Sequence, residues 1–218
     1  MTPGARRLSA DARRPILCLV VDGGVDLSAV AAAVTAGVDW LQVRDRSLGG
    51  TALSALVDAV GAEARSAGAR SGRSVRVLVN RRIDVALASG ADGVHLGFDA
   101  LQPAEARRLL GAGALVGISC HAPAEVRAAK EANYAHLAPV FEPLSKAATR
   151  PPLGTAAIRS ASGLPVLAQG GIGPANVAAC MAAGAAGVAV TGAILAAPNP
   201  GRASAALRAA LDGSAEPT

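Results

Sequence analysis

The amino-acid sequence predicts a single-domain (β/α)8 TIM barrel, an α/β fold, on three observations. Short runs rich in Val, Ile and Leu alternate with longer Ala-rich segments throughout the 218 residues. Most of the short runs are continuously apolar, as expected for parallel strands whose outer face is covered by helices. A chain of this length can bury one large core. Because eight strand-helix units follow one another, we expect the sheet to close into a barrel.

Eight strands are expected, and a segment of helical character follows each of them. The strands are predicted at 16–21, 40–43, 75–80, 93–96, 115–119, 135–140, 165–168 and 187–190. Seven helices separate the strands, and a last helix is predicted at 203–211. Cap and turn signals mark several helix starts, among them Asp26 before Ser28 and the prolines Pro103 and Pro174.

An open, doubly wound sheet is the runner-up fold. Its dinucleotide-binding form carries a GxGxxG motif after the first strand. Residues 21–26 read VDGGVD, which lacks that spacing. The barrel is therefore preferred, with its domain at 15–211, a mobile basic tail at 1–14 and a second tail at 212–218.

Charge and composition argue against two classes of partner, nucleic acids and membranes. The net charge of +5 comes mostly from residues 1–14, where four arginines face one aspartate. With two Phe, one Tyr and one Trp, the chain lacks the aromatic surface on which single-stranded nucleic acids stack. The uncharged stretch between Arg159 and Arg202 is rich in Ala and Gly, whereas a membrane span needs about 20 strongly apolar residues. We therefore expect neither a nucleic-acid nor a membrane partner.

The cysteines indicate the compartment. Cys18, Cys120 and Cys180 are widely spaced and form no CxxC pair, and the N-terminus lacks the apolar core of a secretory signal. Both features are typical of a protein in a reducing cytoplasm. The oligomeric state stays open, with a homo-oligomer as one option.

The ends of the predicted strands carry the candidate site, because barrel chemistry lies at the carboxyl face. Gln42 and Arg44 alternate with Leu41 and Val43, so the polar pair shares one face of its strand. Arg44 there needs an anion, unless it reaches solvent or pairs with Asp45. The other strand ends contribute Arg46, Asn80, Arg81, Gly97, Asp99, Ser119, His121, the 141–150 loop, Gln169, Gly170, Gly171, Thr191 and Gly192. This polar, glycine-rich set indicates an anion site.

Small residues follow strands seven and eight, where barrels often bind phosphate with backbone N–H groups. They are Gly170 and Gly171 in the first loop and Thr191 and Gly192 in the second. Glycine lets the backbone approach a ligand closely. One glycine pair would indicate only a tight turn, but two on consecutive strands predict phosphate binding.

The histidines do not indicate a metal site. His95, His121 and His136 lie on three different strands without a second ligand at metal spacing. His121 shares its face with Ser119, and imidazole suits proton transfer near neutral pH, so these two are the candidate catalytic residues. We interpret His95 and His136 as structural.

Six short motifs together carry a family resemblance. They are VRDRS at 43–47, VNRRIDVAL at 79–87, ADGVHLG at 91–97, GISCH at 117–121, PVFEPLSK at 139–146 and GGI at 170–172. Their order on consecutive strands resembles the superfamily of thiamine phosphate synthases and TenI-like thiazole tautomerases, from Ile16 to Leu211. The resemblance implies an enzyme of thiamine (vitamin B1) biosynthesis that binds a phosphorylated thiazole.

The tautomerase branch is favoured, because Asn80-Arg81-Arg82 and Phe141-Glu142 look more like its motifs. This isomerase converts a thiazole carboxylate phosphate to its aromatic form without a metal or other cofactor. The resemblance makes His121 its acid/base. It assigns phosphate binding to the glycine loops, and substrate binding to Gln42, Arg44, Arg46, Asn80, Ser145 and Lys146.

The alternative is the synthase branch, a transferase that joins hydroxymethylpyrimidine pyrophosphate to thiazole phosphate. Synthases hold Mg²⁺ with two carboxylates, and this chain has Arg81 and Ala100 at the matching positions, with Asp99 one residue early. A cation in place of an oxygen ligand removes the charge that Mg²⁺ requires. Ser145 and Lys146, however, match the synthase loop that contacts pyrophosphate. A non-catalytic relative that only binds a phosphate compound is a third hypothesis.

Overall fold

The computed structural model describes residues 14–97, 100–142 and 150–214. Within these ranges eight parallel strands form a closed barrel, in which each strand pairs with the next and the last pairs with the first. The predicted (β/α)8 fold is confirmed. The strands are β1 (Ile16–Val21), β2 (Trp40–Val43), β3 (Arg76–Asn80), β4 (Gly93–Leu96), β5 (Leu115–Cys120), β6 (Tyr134–Leu137), β7 (Val166–Gln169) and β8 (Gly187–Val190).

Helices connect the strands. In the described residues they are α1 (Leu27–Thr35), α2 (Gly50–Ser71), α3 (Ile83–Ser89), α4 (Pro103–Leu110), α5 (Pro123–Ala128), α6 (Thr155–Ser160), α7 (Val177–Ala182), α8 (Gly192–Leu195) and α9 (Pro200–Asp212). The predicted caps are present, since the Asp26 side chain accepts a hydrogen bond from Ser28 N and Pro103 begins α4.

Two boundaries differ from prediction by three residues, for physical reasons, and the other predicted boundaries agree to within one residue. β6 ends at Leu137 instead of residue 140, because Pro139 has no N–H to donate to a ladder. The last helix begins at Pro200 instead of residue 203, because Asn199 caps it by accepting from Arg202 N at 2.9 Å. The short α8, which the sequence did not predict, lies between β8 and this helix.

The inside of the barrel changes from apolar to polar along the strands. Toward the strand starts, the interior is filled by Ile16, Cys18, Val20, Trp40, Leu78, Tyr134, Leu167 and Ala189. Trp40 and Tyr134 meet edge to face, with ring centroids 4.9 Å apart. Two residues further along β2, β3, β6 and β7, the inward positions are Gln42, Asn80, His136 and Gln169. Because side chains repeat on one face every second residue, these four lie above the apolar layer, toward the carboxyl face.

The opposite face of the barrel is closed by ion pairs. Asp39 accepts hydrogen bonds from Leu17 N at 2.8 Å and from buried Arg208 at 2.9 Å. Arg14 and Asp212, at the predicted junctions with the tails, pair at 2.7 Å. Residues 1–13 and 215–218 lie outside the described ranges, so the proposed tails stay a prediction. Among the described helices, none has the length and hydropathy of a membrane crossing.

Candidate active site

Buried polar side chains form the floor of the barrel mouth. Gln42 Nε2 donates to Asn80 Oδ1 at 3.1 Å, and both side chains are buried. His95 joins two partners, with Nδ1 3.2 Å from the Tyr134 hydroxyl and Nε2 2.9 Å from Ser119 Oγ. We name these residues together with His136 the polar floor. The floor draws on five consecutive strands, β2 to β6.

His95 and His136 lie against each other, with ring centroids 4.1 Å apart and ring planes inclined by 34°. Burial lowers the pKa of His95 well below its ordinary value, and the neighbouring His136 and then Arg44 lower it further. Burial also lowers the pKa of His136 to about 3. Both imidazoles are therefore neutral near pH 7, and the histidines add no charge to the polar floor.

The sequence interpretation of these two histidines as structural missed their place beside the candidate residue Ser119. A signal was available. In the strand register, Asn80 of β3 lies beside His95 of β4, and Ser119 of β5 lies beside His136 of β6. Because neighbouring residues of paired strands face the same side of the sheet, an inward-facing Asn80 and Ser119 predict that both histidines also face inward. Ser119 Oγ shares a hydrogen bond with His95 Nε2. The catalytic roles expected for Ser119 and His121 stay a prediction.

Arginines surround one side of the mouth, where β2 and β3 end. The pKa of Arg44 is lowered first by burial and then by the charges of Arg46 and Arg81. Arg81 has a φ of 65°, which a residue with a side chain seldom adopts, and its N–H donates to His95 O at 2.8 Å. A cavity of about 270 Å³ opens beside Arg46, Asn80 and Arg81. We call it the arginine cavity.

A second cavity, of about 520 Å³, opens where β7 and β8 end. Gln169, Gly170, Gly171, Ile172, Thr191, Gly192 and Ala193 are among its lining residues. We call it the glycine cavity. Asn176 holds the first loop, because its side chain accepts from Gly173 N at 2.9 Å and donates to Gly171 O at 2.8 Å.

The glycines of this cavity serve different purposes. Gly171 has a φ of 64°, and a Cβ there would lie 2.2 Å from Glu142 O, so the loop itself requires glycine. A Cβ on Gly192 would meet nothing within 4 Å. The protein leaves open space at Gly192, beside backbone N–H groups at the start of α8. Such a loop and short helix are frequent phosphate sites in barrels.

His121 lies at the end of β5, and its ring is half-buried. Its Nδ1 is 2.7 Å from Ala138 O, and its backbone N–H donates to Glu125 at 2.6 Å. Because a carbonyl oxygen can only accept, Nδ1 carries the proton and a neutral ring keeps its lone pair on Nε2. Nε2 is thus the ring nitrogen that can accept a proton.

The remaining predicted site residues lie outside the described part of the chain. They are Ser145, Lys146 and Asp99, together with most of the loop that follows β6. The structure thus brings Gln42, Asn80 and Ser119 into one floor, places Arg44 and Arg46 on one side of it, and places the glycine loops on another side. How Lys146 is placed stays a prediction.

This fold and this site together define a barrel protein whose mouth has a polar floor, with arginines and glycine loops at its rim. The chain belongs to the thiamine monophosphate synthase family, whose model matches residues 17–194. The predicted superfamily resemblance is confirmed. Membership of this family assigns the chain to thiamine biosynthesis.

Curated relatives carry synthase names. The chain is 43% identical over 195 residues to a putative thiamine-phosphate synthase of Geobacter sulfurreducens, covering 87% of this chain and 89% of that protein. It is 44% identical over 175 residues to a thiamine-phosphate synthase of Methanoculleus marisnigri, covering 78% and 79%. A bifunctional ThiM/ThiE protein of Symbiobacterium thermophilum matches at 42% over 201 residues, and the chain spans 40% of that protein's length and 90% of its own. These names favour the synthase alternative over the tautomerase branch expected from the motifs.

Among solved structures, a thiamine phosphate pyrophosphorylase from Pyrococcus furiosus superposes with a TM-score of 0.80. The match covers 93% of this chain and 98% of that one at 22% identity. At this identity the likeness supports the fold alone.

Proposed function

We propose that the protein is a thiamine-phosphate synthase, a transferase that joins hydroxymethylpyrimidine pyrophosphate to thiazole phosphate. The observation that carries the proposal is the presence of two separate cavities suited to anions at one barrel mouth. The tautomerase substrate carries one phosphate and one carboxylate, whereas the synthase must hold a monophosphate and the more highly charged pyrophosphate together, and the arginines of one cavity suit the second of these pairs. The names of the relatives support the same branch.

The two cavities suit different anions. The glycine cavity offers backbone N–H groups and no cation among its lining residues, which suits a monophosphate. The arginine cavity has Arg46 and Arg81 in its wall, together with Asp45 and with Arg82, which pairs with Asp84, and its guanidinium donors suit the phosphate oxygens of pyrophosphate. Between the two cavities, the polar floor offers amide, hydroxyl and imidazole groups to an uncharged heterocycle. We place the thiazole phosphate in the glycine cavity and the pyrophosphate in the arginine cavity.

The reaction exchanges one bond for another. The thiazole nitrogen forms a bond to the exocyclic carbon of the pyrimidine, and the bond from that carbon to pyrophosphate oxygen breaks. Pyrophosphate leaves with the electron pair. Its growing negative charge must be stabilised where it develops, which fixed cations do most effectively in a site shielded from water. Arg44 and Arg46 supply such charge, while the floor holds the ring in line.

The residues present do not fit the magnesium ion that the synthase family implies. Arg81 and Ala100 stand where carboxylates are expected. The described residues contain no group of three or more His, Cys, Asp and Glu side chains that could hold a metal ion. We therefore assign no step to magnesium.

Paired substitutions test the proposal. Gly192→Val adds to the glycine cavity a side chain whose Cβ would meet no protein atom within 4 Å, so it should raise KM for thiazole phosphate at least about tenfold and change KM for the pyrimidine substrate by less than about twofold. Arg46→Ala removes a charged donor from the other cavity and should give the reverse pattern, also at least about tenfold. Steady-state kinetics, with each substrate varied in turn, measures both KM values in each variant. Equal effects on both substrates would overturn the assignment of the two cavities.

A tautomerase is the second candidate, because the absence of a carboxylate pair at Arg81 and Ala100 matches its lack of a metal. In that reaction His121 would move a proton between ring and exocyclic carbon. His121→Ala should then lower kcat for the thiazole carboxylate phosphate roughly 10²-fold or more, the loss expected for a general acid/base. His121→Gln, which keeps a hydrogen-bonding group, should restore little of this rate. Unchanged kcat in both variants would exclude this role.

A further inference from the structure

Two hydrogen bonds connect the apolar layer of the barrel with the mouth. The Tyr134 hydroxyl lies 3.2 Å from His95 Nδ1, and His95 Nε2 lies 2.9 Å from Ser119 Oγ. Tyr134 and His95 are buried, whereas Ser119 is partly exposed near the end of β5. We call these three residues the Tyr-His-Ser chain. It begins in the core and ends where a ligand can reach its last member.

Tyr134 is held in this position by its surroundings. Its ring meets Trp40 edge to face, and a Cβ on Gly117 would collide with the ring, so β5 needs glycine two residues before Ser119. Burial raises the pKa of Tyr134 well above its ordinary value. The hydroxyl therefore enters the chain as a fixed group that keeps its proton.

The direction of the hydrogen bonds follows from this tyrosine proton. Within the described residues, His95 Nδ1 is the hydrogen-bond partner of the Tyr134 hydroxyl. A buried donor without an acceptor is costly, so the hydroxyl donates to Nδ1. A proton on Nδ1 would instead leave the tyrosine proton without an acceptor. Because the neutral imidazole then carries its proton on Nε2, this nitrogen donates to Ser119 Oγ.

Ser119 Oγ accepts this hydrogen bond and keeps its own proton to donate. No hydrogen bond joins Ser119 to His136, its neighbour in the strand register, in the part of the chain that the structure describes. The hydroxyl proton is thus available to a ligand in the mouth. With the opposite tautomer of His95, Ser119 would donate to Nε2 and offer only a lone pair to the mouth.

We propose that Tyr134 and His95 are positioning residues that make Ser119 a hydrogen-bond donor toward the pyrimidine substrate. The identity of this substrate rests on the proposed function. The thiazole nitrogen uses its lone pair to form the new bond, so a hydrogen bond donated to it would oppose the reaction. The ring nitrogens of the pyrimidine keep their lone pairs and can accept from Ser119.

Nitrogen NMR of the protein with labelled histidines tests the direction without any substrate. We expect His95 to show a protonated Nε2 and an unprotonated Nδ1 at pH 7, with His95→Gln used to assign its signals. Tyr134→Phe removes only the hydroxyl, so the two tautomers should mix and the two nitrogen shifts should approach each other. Cys18→Ala is the matched control, since Cys18 lies in the same apolar layer as Tyr134. It should leave both shifts unchanged.

A double-mutant cycle tests whether Tyr134 acts through Ser119. Tyr134→Phe should lower kcat/KM for the pyrimidine substrate about threefold or more, and KM for thiazole phosphate should change by less than about twofold. In the Ser119→Ala background, the same substitution should change kcat/KM for the pyrimidine substrate by less than about 1.5-fold, because the hydroxyl that it orients is gone.

Three results would overturn the inference. They are a proton on His95 Nδ1 in the unchanged protein, a tautomer that Tyr134→Phe leaves as it was, and equal losses from Tyr134→Phe with and without the Ser119 hydroxyl. The proposed function fails separately. The expected tautomer in a protein that forms no thiamine phosphate would keep the direction of the chain and refute the function. Synthase activity with a proton on Nδ1 would keep the function and refute the inference.

Discussion

Replacing Arg44 by alanine should lower kcat/KM of the synthase reaction by roughly 10²- to 10³-fold, the usual loss when one fixed charge stabiliser is removed. The charge of Arg44 reaches the floor, because it lowers the pKa of the His95 imidazole. Its side chain is exposed at the mouth, so a bound anion can reach it. Initial rates of thiamine phosphate formation measure the effect.

Two comparisons make this result specific to the charge of Arg44. Arg44→Lys keeps the charge and should recover part of the lost rate, although the paired donors of guanidinium are gone. Arg76→Ala, at the other end of the barrel, should keep the full rate. A loss of less than about fivefold in Arg44→Ala would remove this residue from the pyrophosphate site.

Acid should destabilise the protein steeply below pH 6.5, because its polar floor contains two buried histidines. In the unfolded chain both imidazoles take up protons below about pH 6.5. In the folded protein burial keeps His136 neutral down to about pH 3 and also lowers the pKa of His95. The stabilisation is thus complete above pH 6.5 and is lost as pH falls. Each histidine should contribute a slope of about 1.4 kcal/mol per pH unit to the free energy of unfolding.

Urea unfolding between pH 7 and pH 5 measures this slope, in a range above the ordinary pKa of Asp and Glu. The variant His136→Gln removes one of the two buried imidazoles and should roughly halve the histidine contribution. A free energy of unfolding that stays constant from pH 7 to pH 5 would show that the native floor accepts protons.

The sequence predicts the barrel well because periodicity is a local signal. Short, mostly apolar runs identify β1, β2, β4 and β8 with their observed ends. The end of β6 at Leu137 is harder to predict, because the apolar run continues through Val140 while the ladder stops before Pro139.

The site is predictable only in part. Glycine at 171 and 192 and arginine at 44 and 46 mark the rim, since residue type alone indicates their chemistry. The contact between His95 and His136 joins residues far apart in the chain, and it appears only when the strand register is known. The choice between the two branches depends on single positions such as Arg81, where one substitution can remove a ligand without changing the fold.

The most direct measurement compares the two reactions on one preparation of the full chain. The protein is incubated in parallel with hydroxymethylpyrimidine pyrophosphate plus thiazole phosphate and with the thiazole carboxylate phosphate tautomer, and the products are quantified. The account predicts thiamine phosphate, with one pyrophosphate released for each molecule formed. Aromatisation of the carboxylate substrate without any thiamine phosphate from the pair would contradict it.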